Sequence, residues 1–173
     1  MKSALGLAFA AIAAAIIGAL SYQALNERPA YSETPLENLP AFSLKDMHGN
    51  ERHSSEWQGK TLLLNFWATW CPPCRKEIPL LIDAQEQHGP DGLQVIGIAL
   101  EQAESVLKYA EEIGLTYPSL VGNVDVIDLG NKLGNQIGAL PFTVLVAPDG
   151  KILDRHMGEL NQTQLDALLA AAR

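Results

Sequence analysis

Cysteine is almost absent from this chain: only Cys71 and Cys74 occur among its 173 residues. Two cysteines three positions apart cannot tie distant segments together, so the chain is not a disulfide-stapled scaffold. Attachment of a lipid to an N-terminal cysteine is also excluded, because no cysteine follows the apolar N-terminal run. The pair therefore needs an explanation from its own surroundings.

Positive charge is scarce as well. The chain has 12 Lys and Arg against 20 Asp and Glu, a formal net charge of −8 and a pI of about 4.9. A polyanionic partner would be repelled unless a local basic patch outweighed this average, and the sequence contains no such patch. We therefore expect no nucleic-acid binding.

An apolar run near membrane-spanning length occurs only at the N-terminus, where residues 4–20 carry no charge and come soon after Lys2. This run predicts a membrane anchor within residues 1–25, oriented so that the rest of the chain is exported. A cleaved signal peptide is the alternative, with Ala19-Leu20-Ser21 as the best, though imperfect, cleavage site. A buried helix of a soluble protein is the third. The first two place the remainder outside the cytoplasm.

The domain is expected to follow a short linker. Residues 26–35 are polar and punctuated by proline, which indicates a linker, and residues 36–173 then form the domain. The turn-forming cluster at residues 47–50 predicts a β-hairpin at its start. The near-continuous apolar runs Thr61–Trp67 and Leu93–Leu100 predict strands that are buried on both faces.

Helical patterns alternate with these strands. A helix is predicted from Pro72 to about His88, with a kink at Pro79, because proline suits the first helical position and Gly89-Pro90 ends the segment. The amphipathic residues 103–114 predict a second helix stopped by glycine. Residues 122–138 are helical in part, although four glycines make the borders unsafe.

The C-terminal part predicts a hairpin and a last helix. Residues 142–147 and 151–157 are extended runs joined by the turn at residues 148–150, and residues 161–173 close the chain as a helix. Strands that alternate with helices, followed by a hairpin and a helix, predict an α/β fold. Its sheet is of mixed direction, with helices on both faces.

Three kinds of chemistry compete for the cysteine pair. A structural disulfide across so short a loop restricts the unfolded chain little, by about 2 kcal/mol before strain is subtracted. A zinc site would need two further ligands, and the four histidines form no ligand pair on one helix face. Thiol–disulfide exchange needs only the two sulfurs at the start of a helix.

The position of each cysteine assigns its role in such an exchange. Cys71 stands at the positive end of the helix dipole, where its thiolate is favoured, and Cys74 lies one turn inside. Cys71 is thus the attacking sulfur and Cys74 the resolving sulfur. Pro72 and Pro73 bring neither a hydrogen-bond donor nor a charge, so the pKa of Cys71 should be lowered only moderately. This favours a reductant over a strong oxidant.

The segment FWATWCPPCRKEIP resembles the active-site segment of membrane-anchored thioredoxin-like reductases of the TlpA/ResA group. The resemblance extends over about Leu36 to Arg173, through Gly59-Lys60, Pro79 and GALPFTVLVAPDGKI. It implies a thioredoxin-like fold with an N-terminal β-hairpin extension and a helical insertion. It also implies a thiol:disulfide oxidoreductase without a cofactor other than its redox-active Cys71–Cys74 disulfide, and without a metal.

The resemblance assigns a substrate-binding surface around the cysteines. Pro141 resembles a cis-proline that faces the pair, where backbone groups of Leu140 bind the substrate strand; an ordinary trans turn proline is the simpler alternative. Trp70 is expected beside the reactive sulfur as a flat apolar surface for the partner protein, flanked by Pro72 and Pro73. Trp67, at the end of a buried strand, is expected to be a core aromatic.

A proton acceptor for the resolving thiol is expected at Glu77. Thioredoxins carry a buried aspartate six residues before the first cysteine, whereas this chain has Asn65, which cannot take a proton. Glu77 lies three residues after Cys74, on the same side of the helix, and matches a glutamate of the ResA-like motif. The alternative is a solvated helix glutamate.

These expectations predict an enzyme that reduces disulfides of exported proteins, at the periplasmic face of the bacterial inner membrane or in the periplasm if the N-terminal segment is cleaved. The family suggests electrons from a membrane thiol transporter of the DsbD/CcdA kind, and clients in cytochrome c or copper-oxidase maturation. One alternative is a copper-binding chaperone module on the same sulfurs, disfavoured by the lack of a nearby Met or His pair. Another is a thiol peroxidase on the same fold, whose proline and threonine are replaced by Leu64 and Ala68.

Overall fold

The computed structural model of the protein describes residues 36–172 and, in isolation, Gly18. Residues 36–172 belong to one compact unit, Thr34–Arg173. The anchor or signal segment expected in residues 1–25 and the linker expected in residues 26–35 lie outside the described residues, Gly18 apart. Within the described part of the chain, no helix is long and apolar enough to cross a membrane.

One seven-stranded sheet forms the centre of the domain. Its strands are β1 (Ser43–Asp46), β2 (Glu51–His53), β3 (Thr61–Trp67), β4 (Leu93–Leu100), β5 (Ser119–Gly122), β6 (Phe142–Val146) and β7 (Ile152–Met157). Their order in space is β2-β1-β5-β4-β3-β6-β7. β3, β4 and β5 are parallel, whereas β1 and β6 pair antiparallel with this group. The predicted sheet of mixed direction is confirmed.

Within residues 36–172, four α-helices accompany the sheet: α1 (Pro72–His88), α2 (Ala103–Ile113), α3 (Val124–Lys132) and α4 (Gln162–Ala170). Both bounds of α1 agree with the sequence prediction, because Pro72 opens it and Gly89 follows its last residue. α2 ends where Gly114 adopts a φ of 67°, a left-handed conformation that favours glycine. Pro79 lies inside α1, and the kink there stays a prediction.

The central strand β3 distributes its side chains to two cores. Successive side chains of a strand point to opposite faces. Phe66 packs in the cluster that contains Leu129 of α3, whereas Trp67 packs in the cluster that contains Ile78 of α1. Asn65 is two residues before Trp67 and fully buried, so it lies on the α1 side of the sheet.

The buried face of α1 carries one carboxyl group. Its buried residues are Cys74, Glu77, Ile78, Leu81 and Ala84, which recur at spacings of three and four and so form one stripe along the helix. This stripe packs against the sheet on the side that Asn65 faces. Glu77 is therefore brought beneath the helix rather than out into solvent.

Two short elements were not predicted from the sequence. β5 has only four residues and pairs with β4 on one side and β1 on the other. A 3₁₀ helix, Ser54–Trp57, follows β2 and buries Trp57. Both depend on contacts with segments distant in the chain, which a local apolar pattern does not reveal.

Candidate active site

Cys71 and Cys74 form a disulfide at the start of α1, with their Cα atoms 5.3 Å apart. Cys71 is the N-cap of the helix and has extended backbone angles (φ −96°, ψ 103°). The backbone N–H of Cys74 donates to Sγ of Cys71 at 3.3 Å. The sulfur of Cys71 therefore lies at the positive end of the helix, where an anionic sulfur is favoured.

The two sulfurs differ in their access to solvent. Cys71 is 4% exposed and Cys74 is 0% exposed. A disulfide partner arriving from outside meets Cys71 first, while Cys74 lies behind it in the buried stripe of α1. This is the arrangement that an attacking and a resolving cysteine require.

The residues next to Cys71 in the chain are apolar. Trp70 is 62% exposed, Pro72 is exposed and Pro73 is half-buried. Leu140 packs against the cluster that contains both cysteines. Their role as a substrate-binding surface stays a prediction.

The peptide bond between Leu140 and Pro141 is cis, as the family resemblance predicted. Pro141 is buried and its carbonyl accepts from the N–H of Gly158 at 2.9 Å. Within residues 36–172, the backbone groups of Leu140 make no hydrogen bond. The binding of a substrate strand at Leu140 stays a prediction.

Glu77 lies fully inside the domain, with 1% of its surface exposed. One carboxylate oxygen accepts from Nδ2 of Asn65 at 2.7 Å, and the other accepts from the backbone N–H of Leu160 at 2.6 Å. Asn65 also donates to Oγ1 of Thr143 at 3.0 Å. The alternative of a solvated helix glutamate is thus wrong.

Burial sets the protonation of Glu77. Loss of solvation raises its pKa from 4.5 to about 7, although the hydrogen bonds from Leu160 and Asn65 oppose this effect. The carboxylate of Glu159 adds a smaller rise. Glu77 can therefore gain or lose a proton near neutral pH, and it does so one helical turn from the resolving sulfur.

The two cations after Cys74, Arg75 and Lys76, are exposed to solvent, and each has a neighbouring side chain. The Arg75 guanidinium lies 5.1 Å from the ring centroid of Tyr109, and its Nε donates to the Tyr109 hydroxyl at 3.2 Å. Lys76 forms an ion pair with Glu159 at 3.6 Å.

Trp67 is a core residue, as predicted. It is 0% exposed, and its indole N–H donates to Oγ of Ser119 at 3.3 Å. Gly97 lies beside it on β4, where an added Cβ would come within 2.8 Å of that indole nitrogen. Trp67 therefore packs in the buried cluster that contains both cysteines and has no surface for a client protein to contact.

Sequence reasoning missed three groups that the fold brings to the site: Thr143, the N–H of Leu160, and Glu101. Thr143 pairs with Asn65 across β3 and β6, and this register is not visible in either strand alone. A signal did exist for Glu101. It directly follows β4, and parallel strands end at the same sheet edge, so Glu101 lies beside the residues that follow β3.

Metal-ligating side chains do not converge in the described part of the chain, where no group of three or more His, Cys, Asp or Glu is placed to hold an ion.

Residues 35–155 match the model of the AhpC/TSA family. The chain is 30% identical over 136 residues to the thiol-disulfide oxidoreductase ResA of Bacillus thuringiensis (strain Al Hakam), covering 77% of this chain and 75% of that protein. It is 31% identical over 137 residues to the thioredoxin-like protein YneN of Bacillus subtilis (strain 168), covering 77% of each.

A similar solved structure agrees with these relatives. The thioredoxin-family thiol:disulfide interchange protein of Chlorobium tepidum TLS superposes with a TM-score of 0.71 at 28% identity, covering 82% of this chain and 99% of that one. The chain therefore belongs to the AhpC/TSA family, has a thioredoxin-like fold, and is a thiol:disulfide oxidoreductase that carries a Cys71–Cys74 disulfide.

Proposed function

We propose that this enzyme reduces disulfides in exported proteins, with Cys71 as the attacking thiolate. The observation that carries the proposal is the placement of Cys71 as the N-cap of α1, more exposed than Cys74 and with the Cys74 N–H directed at its sulfur. A thiolate in that position is stabilised and can be reached by a client disulfide.

The reaction moves two electrons from the enzyme to the client. The Cys71 thiolate attacks one client sulfur, which breaks the client disulfide, releases one client thiolate and forms a mixed disulfide. Cys74 then loses its proton and attacks the Cys71 sulfur. This breaks the mixed disulfide, releases the second client thiolate and leaves the enzyme with its Cys71–Cys74 disulfide.

Glu77 accepts the proton that Cys74 must lose. Its place one turn along the buried stripe of α1 and its pKa of about 7 support this role. Asn65 and the N–H of Leu160 hold both carboxylate oxygens, so the group stays oriented as it changes charge. The proton then passes to a departing client thiolate or to solvent.

The first turn of α1 supports the proposed role as a reductant. Pro72 and Pro73 have no N–H. The first backbone N–H of the helix is therefore that of Cys74, which donates to the Cys71 sulfur. The thiolate is therefore stabilised less than it would be at a helix start with all its N–H groups. A less stabilised reduced form belongs to a more reducing couple.

The client binds as an extended segment across the cysteine pair. Its backbone hydrogen-bonds to the free N–H and C=O of Leu140, next to the cis bond to Pro141, and its side chains pack on Trp70 and the exposed ring of Pro72. This mode recognises backbone and apolar surface more than sequence, which suits an enzyme that acts on several disulfides.

The proposed location is the periplasmic face of the bacterial inner membrane, or the periplasm if residues 1–25 are cleaved. The uncharged run of residues 4–20 after Lys2 supports it. A membrane thiol transporter of the DsbD/CcdA kind would return electrons to the pair. Clients would belong to cytochrome c or copper-oxidase maturation.

A trapping experiment tests the proposal. In a Cys74→Ser variant the mixed disulfide on Cys71 cannot be resolved, so clients should accumulate as covalent complexes. The full-chain variant is expressed in its own cells, free thiols are alkylated on acid quenching, and complexes are identified by mass spectrometry after non-reducing electrophoresis. Clients should release on reduction and map to exported proteins.

The matched control is Cys71→Ser, which keeps the buried sulfur and removes the accessible one. It should trap far less than Cys74→Ser, because Cys74 has no exposed surface. Equal trapping by both variants would contradict the assignment of the attacking cysteine. Trapping of cytoplasmic proteins alone would contradict the proposed location, and complete failure to trap would favour the metal-binding alternative.

A further inference from the structure

A carboxylate outside the cysteine motif holds the turn that leads into it. Glu101 directly follows β4 and is half-buried. Its carboxylate accepts from the backbone N–H of Thr69 at 2.9 Å, and from the Thr69 hydroxyl at 2.8 Å and 2.7 Å to its two oxygens. Hydrogen bonds to an ionised acceptor are stronger than those between neutral groups.

The turn that Glu101 holds presents both Trp70 and Cys71. The N–H of Cys71 donates to the carbonyl of Ala68 at 3.2 Å, which closes a four-residue turn with Thr69 and Trp70 at its centre. Ala68 is fully buried and Trp70 is 62% exposed. The turn thus runs from the core to the surface. It is held at Thr69 by hydrogen bonds to Glu101, which follows β4.

We propose that Glu101 is a positioning residue that acts through Thr69 to fix Trp70 and Cys71 for docking of a protein substrate. The inference rests on the proposed function, in which Trp70 contacts the client. A protein disulfide must meet the indole and the sulfur together, whereas a small disulfide needs only the sulfur. Release of Thr69 should therefore slow reaction with proteins more than with small disulfides.

The test compares four full-chain variants in the reduced state. Thr69→Val replaces the hydroxyl by a methyl group at almost constant shape, whereas Thr69→Ser keeps the hydroxyl. Glu101→Gln keeps the shape and removes the charge. Glu104→Gln removes a nearby exposed carboxylate on α2 and serves as the matched control. Rate constants are measured with insulin as the protein disulfide and with glutathione disulfide as the small one.

The expected result is a divergence between the two substrates. Thr69→Val and Glu101→Gln should lower the rate constant for insulin about fivefold to tenfold, and that for glutathione disulfide less than about twofold. Thr69→Ser and Glu104→Gln should behave as the wild type. Equal losses for both substrates, or no loss for insulin, would overturn the inference.

Fluorine NMR of protein labelled with 5-fluorotryptophan reports on the turn without any substrate. Trp57 and Trp67 are buried, at 4% and 0% exposure, and Trp70 is exposed, so Trp70→Phe identifies the Trp70 resonance. In Thr69→Val that resonance should move towards the position of free fluorotryptophan, while the resonance of Trp57 stays in place.

The two measurements separate failure of this inference from failure of the proposed function. A wild-type enzyme that reduces glutathione disulfide but no protein disulfide would contradict the proposed function, and the Trp70 resonance would still decide on Glu101. An unchanged Trp70 resonance in both Thr69→Val and Glu101→Gln would overturn the positioning role, whatever the enzyme reduces.

Discussion

Glu77 combines deep burial with a contact to each of its carboxylate oxygens. Burial makes the charged form costly and raises the pKa to about 7, while the N–H of Leu160 and the amide of Asn65 keep that form accessible. A carboxyl without these two donors would stay protonated to higher pH. An exposed one would be ionised throughout and would be a poor acceptor for a thiol proton.

The kinetic prediction at this residue is that Glu77→Gln slows resolution and spares attack. The reduced enzyme releases two thionitrobenzoate ions from the aromatic disulfide dithiobis(nitrobenzoate). The first is released on attack by Cys71 and the second on attack by Cys74. In the wild type, the second phase should accelerate as pH rises through about 7, since Glu77 must be ionised to accept a proton. In the variant this rise should disappear and the phase slow about tenfold or more at pH above 7.

Glu159 offers a control for the electrostatic part of this account. Its carboxylate raises the pKa of Glu77, so Glu159→Gln should lower that pKa and shift the rise of the second phase to lower pH. Equal slowing of both phases in Glu77→Gln, or a second phase with unchanged pH dependence, would remove Glu77 from the resolving step.

Strand β4 supports the site by letting three side chains approach its backbone. A Cβ added at Gly97 would lie 2.8 Å from the indole nitrogen of Trp67, 2.9 Å from Oγ of Ser119 and 3.3 Å from Cε2 of Tyr117. Glycine at this position therefore leaves room for Trp67, which packs in the same buried cluster as the cysteine pair. It also allows Ser119 to accept the indole N–H.

The prediction for this element is that Gly97→Ala destabilises the protein by about 1–3 kcal/mol, because the added methyl group overpacks a closed core. Gly130→Ala in α3 is the matched comparison. Its Cβ would meet Phe66 at 3.5 Å, an ordinary contact, and alanine in a helix interior is favoured by about 0.5–1 kcal/mol over glycine. Urea unfolding should move in opposite directions for the two variants, and equal losses would contradict this packing argument.

Elements with strong local signals could be predicted from the sequence. β3 and β4 are near-continuous apolar runs, and α1 is bounded by Pro72 and Gly89, so their limits agree with the structure. β5 was missed because four residues carry too weak a pattern and its identity as a strand comes from pairing with β1 and β4.

The site shows the same division between local and distant information. Cys71 caps the helix that contains Cys74 and Glu77, so the spacing of the three residues already indicated their relation. The burial of Glu77 depends on the strand facing it and on the segment before α4, which supplies the N–H of Leu160. Thr69 and Glu101 are 32 positions apart, and only the parallel pairing of β3 and β4 brings them together.

At the scale of the whole molecule, the buried carboxyl links stability to pH. The pKa of Glu77 is about 7 in the folded protein, against an ordinary value of 4.5. Between these values the folded protein holds a proton that the unfolded chain has lost, so stability falls as pH rises across this range. The pKa of Asp46 is lowered from 3.8. This carboxyl therefore makes stability rise with pH, but only below the range between 4.5 and about 7 in which Glu77 acts.

The last prediction follows from that linkage. The oxidised full-chain protein should lose about 3 kcal/mol of unfolding free energy between pH about 4.5 and about 7 through this one group, since each pKa unit corresponds to about 1.4 kcal/mol. Glu77→Gln keeps an oxygen for the N–H of Leu160 and cannot ionise, so its stability should be nearly flat over the same range. Urea unfolding at pH 5 and pH 7.5 measures the difference, with the oxidised form chosen because disulfide-bonded cysteines do not titrate. A variant as steep as the wild type would mean that Glu77 is not the buried acid that opposes folding at neutral pH.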